Sequence, residues 1–178
     1  DHFSIMLMNT ILGGSFTSRL VTEVRVKRGL SYGAGCGFDM MTGAGTFTVS
    51  SFTKTEQLET LLDVCLGEVE KMKKKGALPR EVETARRYIC GLYPSNLETN
   101  ESVAGAFADV VHYGLSEDWI SNYRHRIAAV SVKDVARAAA SHLFGEERVV
   151  ALVGNAEVLK PVASRYGPLT VMAPKDLE

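Results

Sequence analysis

Residues 11–32 of the chain read ILGGSFTSRLVTEVRVKRGLSY, and this stretch decides how the N-terminal part folds. The apolar side chains from Phe3 to Leu12, which precede this stretch and overlap its first two residues, cover most of a helical circumference. A helix that is apolar on nearly all sides must be buried, so the pattern predicts a core helix. The pair Gly13-Gly14 then predicts the end of that helix, since glycine commonly follows the last helical turn.

The second half of the stretch predicts a short helix and a turn. Thr17 or Ser18 is placed to cap this helix, which continues to Lys27, and Gly29 ends it. Two strands are predicted next, over 30–39 and 45–52, with a turn that contains Gly43 between them. The second of these strands alternates apolar and polar residues, as a half-buried strand does.

The first predicted strand carries glycines at every second position, Gly33, Gly35 and Gly37. All three would lie on one face of the sheet, because side chains alternate along a strand. Such a face leaves room for an extended peptide or a partner, or allows an adjacent helix to pack closely. The sequence leaves both interpretations open.

The rest of the chain is predicted to be mainly helical. A clear apolar stripe from Thr55 to Lys75 has the 3.6-residue period of a helix and ends at Gly76. Further helices are predicted over 79–92, 99–113, from 116, over 131–143 and over 156–166, with strands over 148–153 and 169–172. Two adjacent strands, several helices and a returning strand give an α+β class: a small, antiparallel-rich sheet packed against a layer of helices in one domain, 1–178.

The composition excludes several classes of protein. Lys and Arg number 20, Asp and Glu number 21, and the formal charge of −1 argues against a nucleic-acid partner, which a basic excess would indicate. No apolar run reaches 18 residues, so no membrane span is predicted. Three widely spaced cysteines, Cys36, Cys65 and Cys90, are interpreted as buried apolar side chains rather than metal or redox groups.

The chain opens directly in the first apolar helix, with nothing before it to begin that helix. We therefore interpret it as a piece of a longer polypeptide that lacks the first strand of its domain. No targeting segment is readable, so the sequence predicts no cellular compartment.

Familiar catalytic motifs are missing from the sequence. The pattern His-x-x-Glu-His, in which two zinc ligands lie one helical turn apart beside a base, does not occur. His112 and His125 each come late on a predicted amphipathic helix, which is typical of surface histidines. The alternating glycines do not match a dinucleotide fingerprint, because the third comes one place too early and no helix follows.

Residues 11–32 resemble one known family. Residues 11–20 contain a leucine, two glycines and Ser-Arg-Leu, and residues 23–32 contain an arginine, Arg-Gly-Leu and a tyrosine. Together they resemble a hallmark of the zinc metallopeptidases related to pitrilysin, insulinase and the mitochondrial processing peptidases. Weaker agreement, which includes residues 131–135 and 150–154, extends the resemblance over about 10–169.

The resemblance implies a specific division of labour. Members of this family consist of two homologous halves that close around a peptide, of which one carries zinc on His-x-x-Glu-His. The other half holds no metal and contributes an arginine and a tyrosine to the same cavity; the matching positions here are Arg25 and Tyr32. The resemblance therefore implies the metal-free, substrate-binding half of such an enzyme. Zinc is expected on a partner half, in the same polypeptide or in a separate subunit, and this chain alone is expected to be inactive.

The two residue types suit that role, although each also has a plainer interpretation. Arginine offers a rigid fork of donors for peptide carbonyls or an acidic side chain, and a tyrosine hydroxyl can donate to a developing oxyanion. In the plainer interpretation, Arg25 pairs with Glu23 and Tyr32 is ordinary strand filling. Two further alternatives for the whole chain are a catalytically silent scaffold of the same fold and a stand-alone peptide-binding module.

Overall fold

The first predicted helix, α1 (His2–Leu12), forms the centre of the protein in a computed structural model that describes residues 1–41, 43, 45–144 and 147–173. Leu7, Met8 and Leu12 on this helix are completely buried. The helix packs mainly against α7 (Val132–His142) and α4 (Pro79–Leu92). The apolar circumference read from the sequence is thus the core of the fold.

Further helices make up the rest of the helical structure. The predicted second helix forms as a short α-helical turn, α2 (Arg19–Val21), that continues as a π-helical turn over Thr22–Lys27. Ser18 caps it, because the Ser18 hydroxyl oxygen accepts from the Val21 N–H. The other helices are α3 (Leu58–Lys75), α5 (Asn100–His112), α6 (Trp119–Ala129) and α8 (Ala156–Ala163).

Two antiparallel strands make up the sheet of the described residues, β1 (Ala34–Asp39) and β2 (Thr46–Ser51). Phe38 lies opposite Phe47, and their ring centroids are 4.6 Å apart. The predicted α+β class and its small antiparallel sheet are confirmed. Of the predicted turn, Gly43 is described, whereas residues 42 and 44 lie outside the described part of the chain.

The first strand is shorter than the sequence pattern predicts. Residues 30–33 are irregular because they complete the preceding helix: the Leu30 N–H donates to the Val24 carbonyl over 2.9 Å. Leu30 is buried, and the Ser31 hydroxyl donates to the Gly33 carbonyl over 2.9 Å. These local bonds use backbone groups that strand pairing would need.

The two strands predicted near the C-terminus are wrong for this structure. Residues 148–153 and 169–172 have no strand structure, and Val149 is 95% exposed. The apolar composition of 148–153 is typical of a buried strand, but a strand needs a neighbour for its backbone groups. The sheet that the structure describes provides none beside this segment, since β1 and β2 pair with each other.

Gly13 allows the end of α1 to meet the sheet. A Cβ at Gly13 would lie 2.6 Å from the Cys36 backbone nitrogen, so only glycine fits there without a shift of β1. On the sheet side, a Cβ at Gly35 would lie 3.3 Å from the Gly13 carbonyl oxygen, whereas one at Gly37 would meet no atom within 4 Å. Close helix packing thus explains the middle glycine of the alternating set.

The three cysteines differ in burial. Cys65 is buried as predicted, whereas Cys36 and Cys90 are half-buried, so the prediction of three buried side chains is only partly right. Burial raises the pKa of the Cys36 thiol to about 12 and, with the nearby Glu68 charge, that of Cys65 to about 11. Both thiols are therefore protonated at neutral pH, which suits apolar packing rather than reactivity.

Among the residues that the structure describes, no helix combines the length and the apolar character that crossing a bilayer requires.

Candidate functional site

The turn after α2 brings Arg25 and Tyr32 together. Arg25 lies on the π-helical turn, and Gly29 reverses the chain with φ of +59°, a conformation that glycine adopts at little cost. Tyr32 follows within three residues and precedes β1, rather than lying inside the strand as predicted. The tight reversal places both side chains on the same side of the molecule.

The guanidinium of Arg25 stacks on two aromatic rings. Its central carbon lies 4.2 Å from the centroid of the Tyr32 ring and 4.7 Å from that of the Phe16 ring. Both rings are largely solvent-exposed, 76% for Tyr32 and 70% for Phe16. We call these three residues the Arg25 cluster. Phe16 was not a predicted site residue, because nothing in the sequence distinguishes an exposed phenylalanine from a buried one.

Arg25 does not pair with Glu23, as its plainer interpretation requires. The Glu23 carboxylate accepts from Lys27 over 2.5 Å and also from Arg28, not from Arg25. These hydrogen bonds with Lys27 and Arg28 lower the pKa of Glu23. Within the described part of the chain, the Arg25 guanidinium has no hydrogen-bond or ion-pair partner, and the residue is only half-buried. An exposed Tyr32 is likewise not strand filling.

Arg19, in the Ser-Arg-Leu element, anchors the loop that carries Phe16. Its guanidinium donates to both carboxylate oxygens of Glu81, over 2.7 and 2.6 Å, and to the Gly76 carbonyl over 3.0 Å. Burial by itself raises the pKa of Glu81. The hydrogen bonds that its carboxylate accepts from Arg19 and from the Leu78 N–H have the larger combined effect, so the pKa is lowered. Arg19 therefore joins α2 to the connection between α3 and α4, a structural role that the sequence pattern did not reveal.

A cavity of about 660 Å³ lies beside this anchor but does not include the cluster. Its lining includes Arg19, Glu68 and Glu81, and neither Arg25 nor Tyr32 contributes to it. The acidic side chains there are already paired, Glu68 with Lys71 over 2.5 Å and Glu81 with Arg19. We therefore place the candidate site at the exposed Arg25 cluster and not at this cavity.

The described residues do not provide a metal centre. In the ranges 1–41, 43, 45–144 and 147–173, no three His, Cys, Asp or Glu side chains converge as metal ligands. His112 and His125 are exposed, as the sequence predicts for surface histidines. The described residues thus do not fit a zinc ion, and no chemistry of theirs is assigned to one.

A comparison with protein families matches half of the chain. The model of the peptidase M16 inactive domain matches residues 1–89, a range that contains the whole Arg25 cluster. An uncharacterized zinc protease of Streptomyces coelicolor is 27% identical over 153 residues, which cover 86% of this chain and 33% of that protein. A Helicobacter pylori protein named a non-peptidase homolog is 25% identical over 161 residues, covering 84% of this chain and 34% of that protein.

The fold is also similar to solved structures. The peptidase M16 inactive domain from Pseudomonas fluorescens superimposes with a TM-score of 0.75 and 30% identity, covering 81% of this chain and 34% of that one. The chain thus spans about a third of the length of the relatives it matches.

Proposed function

The chain belongs to the peptidase M16 inactive-domain family, and on that premise we propose that it is the substrate-binding, metal-free half of a two-part zinc metallopeptidase. The substrates in this proposal are peptides or small unfolded proteins. The zinc ion, which supplies an activated water, belongs to a homologous partner half. That half is either part of the same polypeptide or a separate subunit.

One observation carries the proposal: an arginine with unpaired donors lies against an exposed tyrosine at the two family positions. Arg25 is half-buried, and no carboxylate of the described residues pairs with it. A half-buried cation without a counter-ion is unfavourable unless something else compensates its charge. Peptide carbonyls or an acidic side chain of a substrate would supply that compensation.

The two side chains would act on different parts of a bound peptide. The fork of Arg25 suits planar acceptors and would hold the substrate before and during the reaction. The Tyr32 hydroxyl can donate to the carbonyl oxygen at which negative charge develops when water attacks the scissile bond. Binding by Arg25 and transition-state stabilisation by Tyr32 are thus separable roles.

Reconstitution tests the proposal. We expect the zinc-bearing half alone to have little peptidase activity. Addition of this chain should increase that activity, since half of the proposed site is on this chain. The measurement is kcat/KM on an unstructured peptide, with a chain carrying Arg25→Ala and Tyr32→Phe together as the matched control. A zinc-bearing half that is fully active alone, with kcat/KM unchanged on addition of this chain, would contradict the proposal.

A scaffold role is the second candidate, and one finding favours it. The relative from Helicobacter pylori is named a non-peptidase homolog, so a protein similar to this chain carries a name that excludes peptidase activity. A scaffold subunit or a stand-alone peptide-binding module would leave the partner's kcat/KM unchanged. A module would still bind the peptide by itself, which calorimetric titration of the chain detects.

A further inference from the structure

Phe16 is the second aromatic ring in contact with the Arg25 guanidinium, beside Tyr32. We propose that Phe16 is a positioning residue, which with Tyr32 clamps the Arg25 guanidinium between two rings and orients its donors toward the substrate. The inference rests on the function proposed above and extends it to a residue outside the predicted pair. Its basis is the pair of stacking distances, 4.7 Å to Phe16 and 4.2 Å to Tyr32.

The position of Phe16 is not explained by the core. The side chain is 70% exposed, although burial of a phenylalanine ring away from water is favourable. Its loop is held at both ends, by the packing of Gly13 against β1 and by the anchor of Arg19 on Glu81. The exposed ring is therefore presented by a fixed backbone and contacts the arginine.

A clamp on both faces has a chemical consequence for Arg25. Aromatic rings attract a guanidinium through its flat faces, and the N–H donors point outward from its edge. In the proposed clamp the two rings occupy the faces of the guanidinium, so its edge remains for a ligand and an acceptor approaches in the plane of the fork. Phe16 and Tyr32 thus reduce the freedom of the arginine before substrate binds, which lowers the entropic cost of binding.

Kinetics of the enzyme assembled from this chain and its zinc-bearing half test the inference. We expect Phe16→Leu to raise KM about two- to fivefold, the effect of losing one exposed cation–π contact, with kcat nearly unchanged. Phe16→Trp should restore the wild-type KM, because it provides a ring again. Val26→Ala, at another 70% exposed apolar residue, one position after Arg25, is the matched control and should change neither constant.

A spectroscopic readout on the full chain is independent of activity. Two rings over one guanidinium should shift the Arg25 side-chain protons upfield by ring currents, and Phe16→Leu should remove part of that shift while Phe16→Trp retains it. Because Phe16 is exposed, the melting temperature should stay the same in both variants.

The outcomes separate this inference from the proposed function. If Arg25→Ala leaves KM unchanged, the proposed substrate contact is wrong. If Arg25→Ala raises KM but Phe16→Leu does not, or if Phe16→Trp fails to restore it, the clamp is overturned while the proposed function stands. A wild-type proton shift for Arg25 in Phe16→Leu would also overturn the clamp.

Discussion

At the scale of single residues, the hydroxyl of Tyr32 gives the sharpest prediction for catalysis. Tyr32→Phe keeps the ring that lies against Arg25 and removes only the hydroxyl, which in the proposed function donates to the developing oxyanion. Loss of one such donor lowers kcat on the order of 10²–10³, about 3–4 kcal/mol, with little change in KM. Steady-state kinetics of the assembled enzyme measure this.

Tyr88→Phe is the control for the Tyr32 prediction, because Tyr88 is a partly exposed tyrosine on α4 outside the Arg25 cluster. It should leave kcat at the wild-type value. If Tyr32→Phe has the wild-type kcat, or loses activity only because its melting temperature collapses, Tyr32 has no part in the chemistry.

Gly13 gives the residue-scale prediction for stability. Gly13→Ala would place a methyl group 2.6 Å from the Cys36 backbone nitrogen, and the resulting shift of β1 should cost about 1–3 kcal/mol. Gly67, inside α3, has open space around its missing Cβ, so Gly67→Ala should instead stabilise the protein by about 0.5–1 kcal/mol. Urea unfolding of both variants is the test, and equal stabilities would contradict it.

The family resemblance predicts Arg25 and Tyr32 as site residues, and the structure brings these two side chains into contact, but the sequence does not predict their surroundings. Arg25 and Tyr32 were predicted from the family resemblance, and the Gly29 turn explains how they meet. Phe16 was missed because exposure depends on tertiary packing, which residue type alone does not reveal. The anchoring role of Arg19 is not predictable from the motif, because its partner Glu81 lies 62 positions away in the sequence.

At the scale of secondary-structure elements, the Arg19 anchor joins α2 to α4. Arg19→Ala removes two charge-assisted hydrogen bonds from the partly buried Glu81 and should destabilise the fold by about 1.5–3 kcal/mol. Arg87→Ala is the matched control: its pair with Glu83 lies within one helix, Arg87 is 80% exposed, and the change should stay within about 0.5 kcal/mol. Chemical denaturation at pH 7 compares the two.

The same anchor predicts a dependence on pH. The folded-state pKa of Glu81 lies below its ordinary 4.5, so its stabilisation is present above that pH and is lost as the pH falls through the lowered folded value. The stability difference between wild type and Arg19→Ala should therefore shrink between pH 5 and strongly acidic conditions. If the difference in unfolding free energy between wild type and Arg19→Ala stays constant over that pH range, the Arg19–Glu81 ion pair does not cause the difference.

Helices were easier to predict than strands, and the reason is physical. A helix satisfies its backbone within one segment, so the stripe of α3 and the start of α4 at Pro79 were readable locally. A strand depends on a neighbour that the segment does not specify. The apolar run 148–153 has strand composition but no partner in the described sheet, and 30–33 bonds locally instead.

At the scale of the whole molecule, the candidate site lies next to the buried core. The buried core joins α1, α3, α4 and α7, whereas α5 and α8 contain no buried residue. The Arg25 cluster lies within the range 1–89 that matches the family model and is built directly on this core. Packing of Gly13 and the Arg19 anchor therefore hold the cluster in place.

Metal content gives the prediction for the whole molecule. The purified chain should hold no stoichiometric zinc and cleave no peptide, because the sequence lacks His-x-x-Glu-His and the described residues bring no three ligands together. The thiols offer no substitute, since pKa values of about 12 for Cys36 and about 11 for Cys65 oppose the thiolate form that zinc binds. Elemental analysis after dialysis against a chelator, with the zinc-bearing half as the positive control, measures this. One zinc ion per chain that survives dialysis would overturn the assignment of this chain as the metal-free half.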